Sequence, residues 1–402
     1  MTRAVLVINA GSSSVKYQLI DVDSGSSPAR GLVERIGEGS GTLTHRIATA
    51  DAERTFEASP DVPDHPSALR AAIGQFDRHG PDLAQAGIVA VGHRVVQGGE
   101  KFPDSTIITD EVIAAVEELT PLAPLHNPSC LQGIRAAQQV FSALPHVAVF
   151  DTAFHQTLPP RAYTYAVPAH WRDVHGVRRY GYHGTSHAYV SRRAAAMLGK
   201  DPSQVNVIVA HLGNGASVTA VAGGRSVDTS MGLTPLAGLV MGTRSGDVDP
   251  AVVAHITRVT GMDVEQVDAA LNKQSGLLGL AGENDMRVLG QRAGDGDEAA
   301  RLAREVYSYR IKAYIGQYYA AMGHLDAVAF TAGVGENDSW VRAESLSGLT
   351  ELGIEVHPGR NRATEHGERV ISTDASRVAV MVIPTNEELE IARQTVAVLD
   401  AS

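Results

Sequence analysis

The sequence predicts an α/β protein built from two related halves. Strand-like apolar runs alternate with helix-like segments along the chain, which is typical of α/β architecture. Two strand–turn–strand segments, centred on Gly11 and Gly213, lie about half of the 402-residue chain apart. That length is enough for two or three domains of ordinary size. The spacing indicates a duplication, and two hairpins of independent origin are the alternative.

Each of these segments reads as an apolar strand, a turn rich in small polar residues, and a second strand, which predicts a β-hairpin. Glycine is expected in tight turns whether or not a ligand is present. The predicted strands are Ala4–Ile8 with Val15–Ile20, and Val207–Ala210 with Val218–Val221.

Three helices have clear start signals. The Asn-Pro pair at 127–128 predicts a helix with asparagine as its cap and proline in its first turn. The Asp-Pro pair at 249–250 predicts another, which Gly261 ends. Near the carboxyl terminus, Thr385 and Glu388 have the spacing of a capping box at the start of a last helix.

Composition excludes several classes of partner and site. The formal net charge is −11, and no run of lysine and arginine is long enough to form a nucleic-acid surface. The longest apolar stretches fall short of the roughly 18–20 residues that span a bilayer. Cys130 is the single cysteine, which excludes an internal disulfide and a cysteine-based zinc site. A reducing cytoplasm is the simplest compartment that fits.

The two hairpin turns are candidates for binding phosphate. In the first, Asn9–Lys16, small residues allow backbone N–H groups to approach a phosphate, and serine hydroxyls and an ammonium group add donors. It is not a Walker A loop, and a solvated tight turn is the better explanation when this turn is taken alone. The second turn contains Gly213–Gly215. Two matching turns favour a nucleotide phosphate chain that is held from both sides.

Two arginines lie in glycine-flanked loops, Arg94 ahead of Gly98-Gly99 and Arg244 between Gly242 and Gly246. A guanidinium group in such a loop suits bidentate recognition of a carboxylate or phosphate. A surface salt bridge is the commoner role of any single arginine.

His183 and His187 raise the possibility of zinc, with Asp151 as a third ligand. Zinc proteases carry glutamate after the first histidine of this spacing, whereas Gly184 stands there. We expect His183 to precede a helix that starts near His187, so that the two do not share a helix face. This favours His183 as a donor to a charged transition state, and a structural role is the alternative for His187. A serine-hydrolase elbow and protein-kinase signatures are absent from the sequence.

The longest motifs resemble those of the acetate kinase family, within the acetate and sugar kinase, Hsp70 and actin superfamily. The resemblance extends over essentially the whole chain. It rests on Asn9–Lys16, Tyr180–His187, His211–Ser217, Gly242–Asp249, Thr331–Asn337 and Pro384–Glu388.

This resemblance implies a fold and an activity. The fold has two ribonuclease-H-like domains, each a mixed sheet with flanking helices, over residues 1–150 plus 385–402 and over 151–384. The active site would lie in the cleft between the domains, and the protein would be a homodimer. The activity would be reversible, direct in-line transfer of the ATP γ-phosphoryl group to acetate, giving acetyl phosphate and ADP, with Mg²⁺ or Mn²⁺. Positioning and charge stabilisation dominate such a transfer.

Roles for individual residues follow from the same resemblance. Arg94 and Arg244 would clamp the acetate carboxylate and the phosphoryl group, His183 would donate to a phosphoryl oxygen, and Asp151 would orient an arginine or the metal. Asn9 and Glu387 would bind magnesium, although a glutamate is also favoured at any helix start. The implied nucleotide contacts are Ser12, Ser14, Lys16, His211, Gly213, Asn214, Gly215, Asp285, Met286, Arg287, Gly333, Gly335 and Asn337.

The resemblance also implies an apolar pocket around the acetate methyl group. Its residues would be Val96, Leu125, Tyr182 and Pro235. Phenylalanine is usual where Tyr182 stands, and histidine where Gln97 stands. A pocket discriminates one methylene by only about 1–3 kcal/mol, so propionate is expected to be a slower substrate. A propionate or butyrate kinase is therefore an alternative, and an ATP-driven conformational protein like Hsp70 or actin is an alternative of another class.

Overall fold

The computed structural model describes residues 3–49, 52–124 and 126–402, so Leu125 of the expected methyl pocket lies outside the described residues. The chain divides into two compact units. Unit 1 is Met1–Phe154 with Asn386–Ser402, and unit 2 is His155–Thr385. The expected domain boundary lay between residues 150 and 151. The observed division follows Phe154, so Asp151 belongs to unit 1. In the part of the chain that the structure describes, no helix has the length and hydropathy needed to cross a membrane.

The strands are β1 (Ala4–Ala10), β2 (Ser14–Asp21), β3 (Ala29–Glu34), β4 (Thr42–Ala48), β5 (Glu53–Ala58), β6 (Ile88–Val95), β7 (Thr106–Ile107), β8 (His146–Phe150), β9 (Asn206–Leu212), β10 (Ala216–Ala222), β11 (Arg225–Thr229), β12 (Ala327–Thr331), β13 (Arg369–Val370) and β14 (Ala379–Val382). The helices are α1 (His65–His79), α2 (Asp110–Glu118), α3 (Asn127–Val140), α4 (Pro160–Tyr163), α5 (Ala169–His175), α6 (Gly184–Met197), α7 (Ala251–Thr260), α8 (Val264–Lys273), α9 (Gly276–Ala281), α10 (Met286–Gly294), α11 (Glu298–Met322), α12 (Ala332–Asn337), α13 (Ser339–Leu346), α14 (Pro358–Arg362) and α15 (Glu387–Asp400).

Unit 1 is organised around β1, whose apolar residues are almost fully buried. β1 pairs antiparallel with β2 through the first predicted hairpin, and parallel with β6 on its other side. The whole sheet has the order β5-β4-β3-β2-β1-β6-β8-β7. The last helix, α15, packs on β6 and β1. Gly92 permits this close approach, because a Cβ there would stand 2.6 Å from the Thr395 hydroxyl oxygen.

Unit 2 repeats the arrangement of six neighbouring strands of unit 1. Its sheet has the order β11-β10-β9-β12-β14-β13. β9 and β10 form the second predicted hairpin, β12 runs parallel to β9, and β14 runs parallel to β12. In unit 1, β3-β2-β1-β6-β8-β7 have the same order and the same directions. The predicted α/β fold with two duplicated mixed sheets and flanking helices is thus confirmed.

The helix starts were predicted with mixed success. α7 ends at Gly261, as predicted, but its cap is Pro250 and not Asp249, so its start was predicted one residue too early. The Asp249 carboxylate still accepts a hydrogen bond from the Ala251 N–H at 2.8 Å. The prediction of Asn127 as a cap was wrong. His126 is the cap of α3, and the buried Asn127 amide instead binds the Gln97 backbone.

The capping-box prediction for the last helix was also wrong, by one residue. Asn386 caps α15, and its side-chain oxygen accepts from the Leu389 N–H at 3.0 Å. Glu388 is consequently not the capping partner of Thr385 and forms an ion pair with Lys16. The polar residues at this helix start are similar enough that their spacing alone does not fix which of them caps it.

Candidate active site

In unit 1, the predicted site residues collect where β1, β6 and β8 end and α15 begins. Carboxyl ends of parallel strands are the usual place for ligands in α/β sheets. Arg94 lies near the end of β6, and Asp151 directly follows β8. Their side chains form a two-pronged ion pair, with Nε to Oδ1 at 2.9 Å and Nη2 to Oδ2 at 2.6 Å. Asp151 is buried and Arg94 keeps 22% of its side chain exposed.

Glu387, at the first position of α15, is close enough to this pair to interact with it electrostatically. Burial lowers the pKa of the Arg94 guanidinium, but the charges of Asp151 and Glu387 outweigh that effect and raise it. For Glu387 the balance is the reverse. Burial and the nearby Asp151 and Glu388 raise the pKa of its carboxyl group, although Arg94 and Lys16 oppose the rise. A bound cation would stabilise the ionised carboxylate of Glu387, which fits its expected role as a metal ligand.

A pH-dependent stability follows for the Glu387→Gln variant. A carboxyl whose folded-state pKa is raised favours the native state when protonated and loses that contribution as pH rises above its ordinary pKa of 4.5. Glutamine mimics the protonated group at every pH. We therefore expect the variant to have a thermal midpoint a few degrees above that of the native protein at pH 7–8 without magnesium, and an equal one at pH 4. A lower midpoint at pH 8 would contradict the direction of this shift.

The first hairpin turn contains the other expected contacts of unit 1. The Gly11 N–H donates to the Ser14 carbonyl at 2.8 Å, and Ser12 at the turn is exposed. Asn9 precedes the turn and pairs in register with Lys16. The ammonium group of Lys16 forms an ion pair with Glu388. Lys16 would therefore have to leave Glu388 before it could bind a phosphate at this turn.

The loop after Arg94 is held by buried amide groups. The Asn127 side chain accepts from the Gln97 N–H and donates to the Gln97 carbonyl, both at 3.1 Å. Gln97 itself is fully buried, and its side-chain oxygen accepts from the Gly99 N–H at 2.8 Å. Gln97 therefore shapes the loop that presents Val96, which is a role that the sequence did not predict.

In unit 2, His183 occupies a strained position at the start of α6. Its φ of +58° lies in the left-handed region, which is uncommon for residues other than glycine and often marks functional sites. The prediction that His183 precedes the helix is confirmed, but the helix starts at Gly184, earlier than expected. Across the described ranges, no three His, Cys, Asp or Glu side chains are grouped so that they could hold a metal.

Hydroxyl groups orient the histidines of this site. His183 Nδ1 lies 2.9 Å from Ser217 Oγ, and His211 Nδ1 lies 2.7 Å from Ser186 Oγ. The Ser186 hydroxyl in turn bonds the Thr385 hydroxyl at 2.8 Å. The rings of His183 and His211 stack with their centroids 4.3 Å apart. Each ring is thereby fixed through Nδ1.

Arg244 differs from Arg94 because it has no acidic partner among the described residues. Its Nη1 donates to the Pro235 carbonyl at 3.3 Å and contacts the Met241 sulfur at 3.8 Å. No carboxylate oxygen of the described residues lies within ion-pair distance of it. Burial lowers the pKa of the guanidinium. A half-buried cation that only neutral groups contact is a ready site for an anion.

Glycine allows the loop that carries Arg244 to pack against the start of α9. The Leu277 and Leu278 N–H groups donate at 2.9 Å to the Met241 and Gly242 carbonyls. Gly276 has a φ of +63°, and a Cβ there would stand 2.1 Å from the Met241 carbonyl oxygen. The backbone around Arg244 is therefore fixed on both sides.

Gly215 leaves a gap between Arg244 and His183. A Cβ on Gly215 would stand 3.6 Å from Arg244 Nη1 and 3.6 Å from His183 Nε2. Arg244 Nη1 and His183 Nε2 thus face the same small space beside the second hairpin turn. An anionic group that enters it can be contacted by both.

The variant Gly215→Ala tests this gap. The methyl group makes only ordinary contacts and the backbone is not in the left-handed region, so we expect normal folding. We expect turnover to fall at least tenfold, because the methyl group occupies the space between the two donors. Gly316→Ala in α11, where an added Cβ meets nothing within 4 Å, is the matched control and should keep native turnover. Native turnover in Gly215→Ala would show that this gap takes no part in the reaction.

Tyr182 is buried and its phenol oxygen has a partner. The hydroxyl donates to the Leu233 carbonyl at 2.7 Å. Because Arg244 binds the carbonyl of Pro235, two candidate site residues hold the same short loop. The added oxygen of tyrosine relative to phenylalanine is thus used in fixing the 233–235 loop.

A cavity of about 850 Å³ in unit 2 contains most of the expected nucleotide contacts. Seven predicted residues line it, namely Gly213, Asn214, Asp285, Met286, Arg287, Gly333 and Asn337. His211, Gly215 and Gly335 of unit 2 are not among its lining residues. The Arg287 side chain binds Asp285 and lowers the pKa of that carboxyl to about 2.

Several residues that line this cavity were not predicted from the sequence. Trp340 and Tyr307 line it, and Arg304 stacks on the Trp340 ring at 4.2 Å from its centroid. Trp340, one of two tryptophans in the chain and three residues after Asn337, was the available signal.

Arg342 holds the end of α12 beside this cavity and was not predicted from the sequence. It is fully buried and donates to the Gly335 and Glu336 carbonyls at 2.9 Å, at the end of α12. Its other donors bind the side chain and carbonyl of Asn361. Burial lowers the pKa of this guanidinium to about 10. A buried arginine with these partners fixes the glycine-rich segment that faces the cavity.

Comparisons with known proteins agree with one another. The Acetokinase family pattern matches residues 4–393. The acetate kinase of Leifsonia xyli subsp. xyli is 55% identical over 398 residues, which is 99% of each chain. The crystal structure of Porphyromonas gingivalis acetate kinase has a TM-score of 0.93 and 44% identity, covering 99% of this chain and 100% of that one. A propionate kinase structure from Francisella tularensis has a TM-score of 0.90 and 43% identity, covering 98% and 99%.

Proposed function

This chain belongs to the Acetokinase family, and from that premise we propose that it is an acetate kinase, which transfers the γ-phosphoryl group of ATP to acetate. The observation that carries the proposal is that Arg244 Nη1 and His183 Nε2 lie beside the same residue, Gly215. They face one gap in the unit that also holds the cavity lined by Gly213 and Asn214. A phosphoryl group in flight carries negative charge on its three outer oxygens, and such donors stabilise it.

The remaining roles extend this proposal to both units. In unit 2, Asp285, Met286, Arg287, Gly333 and Asn337 bind the nucleoside part of ATP. In unit 1, Arg94 binds the carboxylate of acetate while Asp151 keeps the guanidinium in place through its two-pronged contact. In unit 2, Tyr182 and Pro235 limit the size of the acyl group.

The chemical step needs no proton transfer. A carboxylate oxygen of acetate attacks the γ-phosphorus of ATP, a new P–O bond forms, and the bond from that phosphorus to the β,γ-bridging oxygen breaks. The bridging oxygen leaves with its electron pair as part of ADP. Acetate is already an anion at neutral pH, so no general base is required. Arg244 and His183 bind the outer oxygens more strongly as negative charge builds on them.

Magnesium fits the residues expected to hold it. Mg²⁺ prefers oxygen ligands and keeps several waters or phosphate oxygens, so one or two protein groups are sufficient. Asn9 offers an amide oxygen and Glu387 a carboxylate with a raised pKa, which a cation would lower. When bound, the ion neutralises charge on the phosphates. We therefore propose that Asn9 and Glu387 hold it, directly or through water.

One assay tests the proposed activity. The protein is incubated with ATP, magnesium and acetate, propionate or butyrate, and acyl phosphate is trapped with hydroxylamine. We expect the highest kcat/KM with acetate and a lower value with propionate. Preference for propionate or butyrate would assign the chain to that substrate instead. ATP binding without acyl phosphate from any of the three acids would favour a conformational ATPase and contradict the proposal.

The variant Tyr182→Phe tests how the acyl pocket is held. It removes the hydrogen bond to the Leu233 carbonyl and leaves that acceptor without its donor, which costs about 1 kcal/mol of unfolding free energy. We expect the loosened 233–235 loop to admit larger acids, so that the propionate-to-acetate ratio of kcat/KM rises severalfold. Tyr309→Phe, at an exposed position, is the control. An unchanged ratio would show that the Tyr182 hydroxyl does not limit acyl size.

We further propose a homodimer in the cytoplasm, where ATP is available. The support for a dimer is α7, in which none of the ten residues is buried although Val252, Val253, Ile256 and Val259 are apolar. Apolar helix faces of this kind mark interaction surfaces. Sedimentation equilibrium should give twice the chain mass of 42.4 kDa.

A further inference from the structure

His183, Ser217 and His187 of unit 2 form one hydrogen-bonded row that ends at the gap beside Gly215. Ser217 Oγ lies 2.9 Å from His183 Nδ1 and 2.7 Å from His187 Nε2. We propose that Ser217 and His187 are positioning residues that hold His183 in the tautomer with its proton on Nε2, where it can donate to the transferred phosphoryl group. The catalytic purpose of this hydrogen-bonded row rests on the proposed function.

While both rings are neutral, two arrangements of the row use the Ser217 hydroxyl proton. A third, in which both rings donate to Ser217 Oγ, leaves that buried O–H without an acceptor among the described residues. A serine hydroxyl has one proton and two lone pairs. In the first arrangement, Ser217 donates to His183 Nδ1 and accepts from the N–H at Nε2 of His187. In the second, Ser217 donates to His187 Nε2 and accepts from an N–H at Nδ1 of His183. The two arrangements place the His183 proton on opposite nitrogens.

His187 decides between them. Its Nδ1 is buried and has no hydrogen-bond partner among the described residues. The first arrangement leaves a lone pair there, whereas the second leaves an N–H. Orphaned buried N–H groups are the rarer and costlier case. A doubly protonated ring is opposed as well, because burial and the neighbouring His155 and His211 lower the pKa of His187 well below its usual value.

The first arrangement leaves the His183 proton on Nε2, the atom that faces the gap. Nε2 would stand 3.6 Å from a Cβ on Gly215, as would Arg244 Nη1. An N–H there attracts an anionic oxygen, whereas the lone pair of the second arrangement would repel it. The buried row therefore determines whether His183 assists Arg244 or opposes it. A wrong histidine tautomer is costly in other enzymes, in which the orienting partner is a carboxylate.

Nitrogen NMR of the histidine-labelled protein tests the proposal without substrates. Signals of His183 are assigned by their absence in His183→Gln. We expect the native protein to show a bare Nδ1 and a protonated Nε2. Ser217→Ala should give a mixture of tautomers, and a kcat at least tenfold lower with the KM for ATP within about twofold of native.

A matched pair of variants separates positioning from packing. In His187→Gln the side-chain amide can supply an N–H where Nε2 was. In His187→Leu the side chain has no N–H to supply. We expect the first to keep the native tautomer and the second to give a mixture, with thermal midpoints recorded for both. A native His183 protonated on Nδ1, or an unchanged tautomer in Ser217→Ala and His187→Leu, would overturn the proposal. The expected tautomer in a protein that forms no acyl phosphate would support the row and overturn the proposed function.

Discussion

Replacing Arg244 by alanine is expected to lower kcat by about 10³-fold or more, as for other arginines that stabilise a transferring phosphoryl group. Folding should be almost unaffected. The guanidinium has no acidic partner among the described residues, so its removal strands no buried charge, and one 3.3 Å contact to the Pro235 carbonyl is lost. We expect the free energy of unfolding to stay within about 1 kcal/mol of native.

Turnover and urea denaturation measured on one preparation check this result. Arg225→Ala, at an exposed strand position of the same unit, is the control and should keep native turnover. Added guanidinium at low concentration should restore part of the activity of Arg244→Ala, because the vacated space faces the gap beside Gly215. Native kcat in Arg244→Ala would remove this arginine from the reaction.

Replacing Arg94 by alanine is expected to have a large effect on stability in addition to its effect on turnover. Asp151 is 1% exposed and depends on Arg94 for its two charged hydrogen bonds. Without the guanidinium, Asp151 loses both charged hydrogen bonds while its carboxylate remains near that of Glu387. Breaking a buried ion pair in this way costs about 3–5 kcal/mol.

The double variant Arg94→Ala/Asp151→Asn isolates the stranded charge. We expect it to unfold at a higher urea concentration than Arg94→Ala, because the uncompensated carboxylate is gone. Arg30→Ala breaks an exposed ion pair with Glu53 in the same unit and should cost less than about 1 kcal/mol. Equal losses in Arg94→Ala and Arg30→Ala would show that the buried pair is not the source of the effect.

Local patterns were sufficient to predict the two hairpins. β1 and β9 are apolar runs that end in glycine-containing turns, and the antiparallel partner follows within a few residues in each case. Such pairing is decided by nearby residues, so a single sequence predicts it well. Exact caps were harder, because Thr385 and Asn386 are both good capping residues, and which of them takes the cap position depends on where packing starts α15.

The sequence by itself determined the α/β class, the duplicated hairpins, the family, and the types of residue that the chemistry needs, because these depend on periodicity, turn residues and motifs along the chain. Only the tertiary structure decided what each charge faces. It pairs Arg94 with Asp151, leaves Arg244 to neutral groups, and ties His183 to Ser217, 34 residues away. The free energy of a charge or a proton depends on burial and on partners brought from distant positions, and no local pattern in the sequence records these.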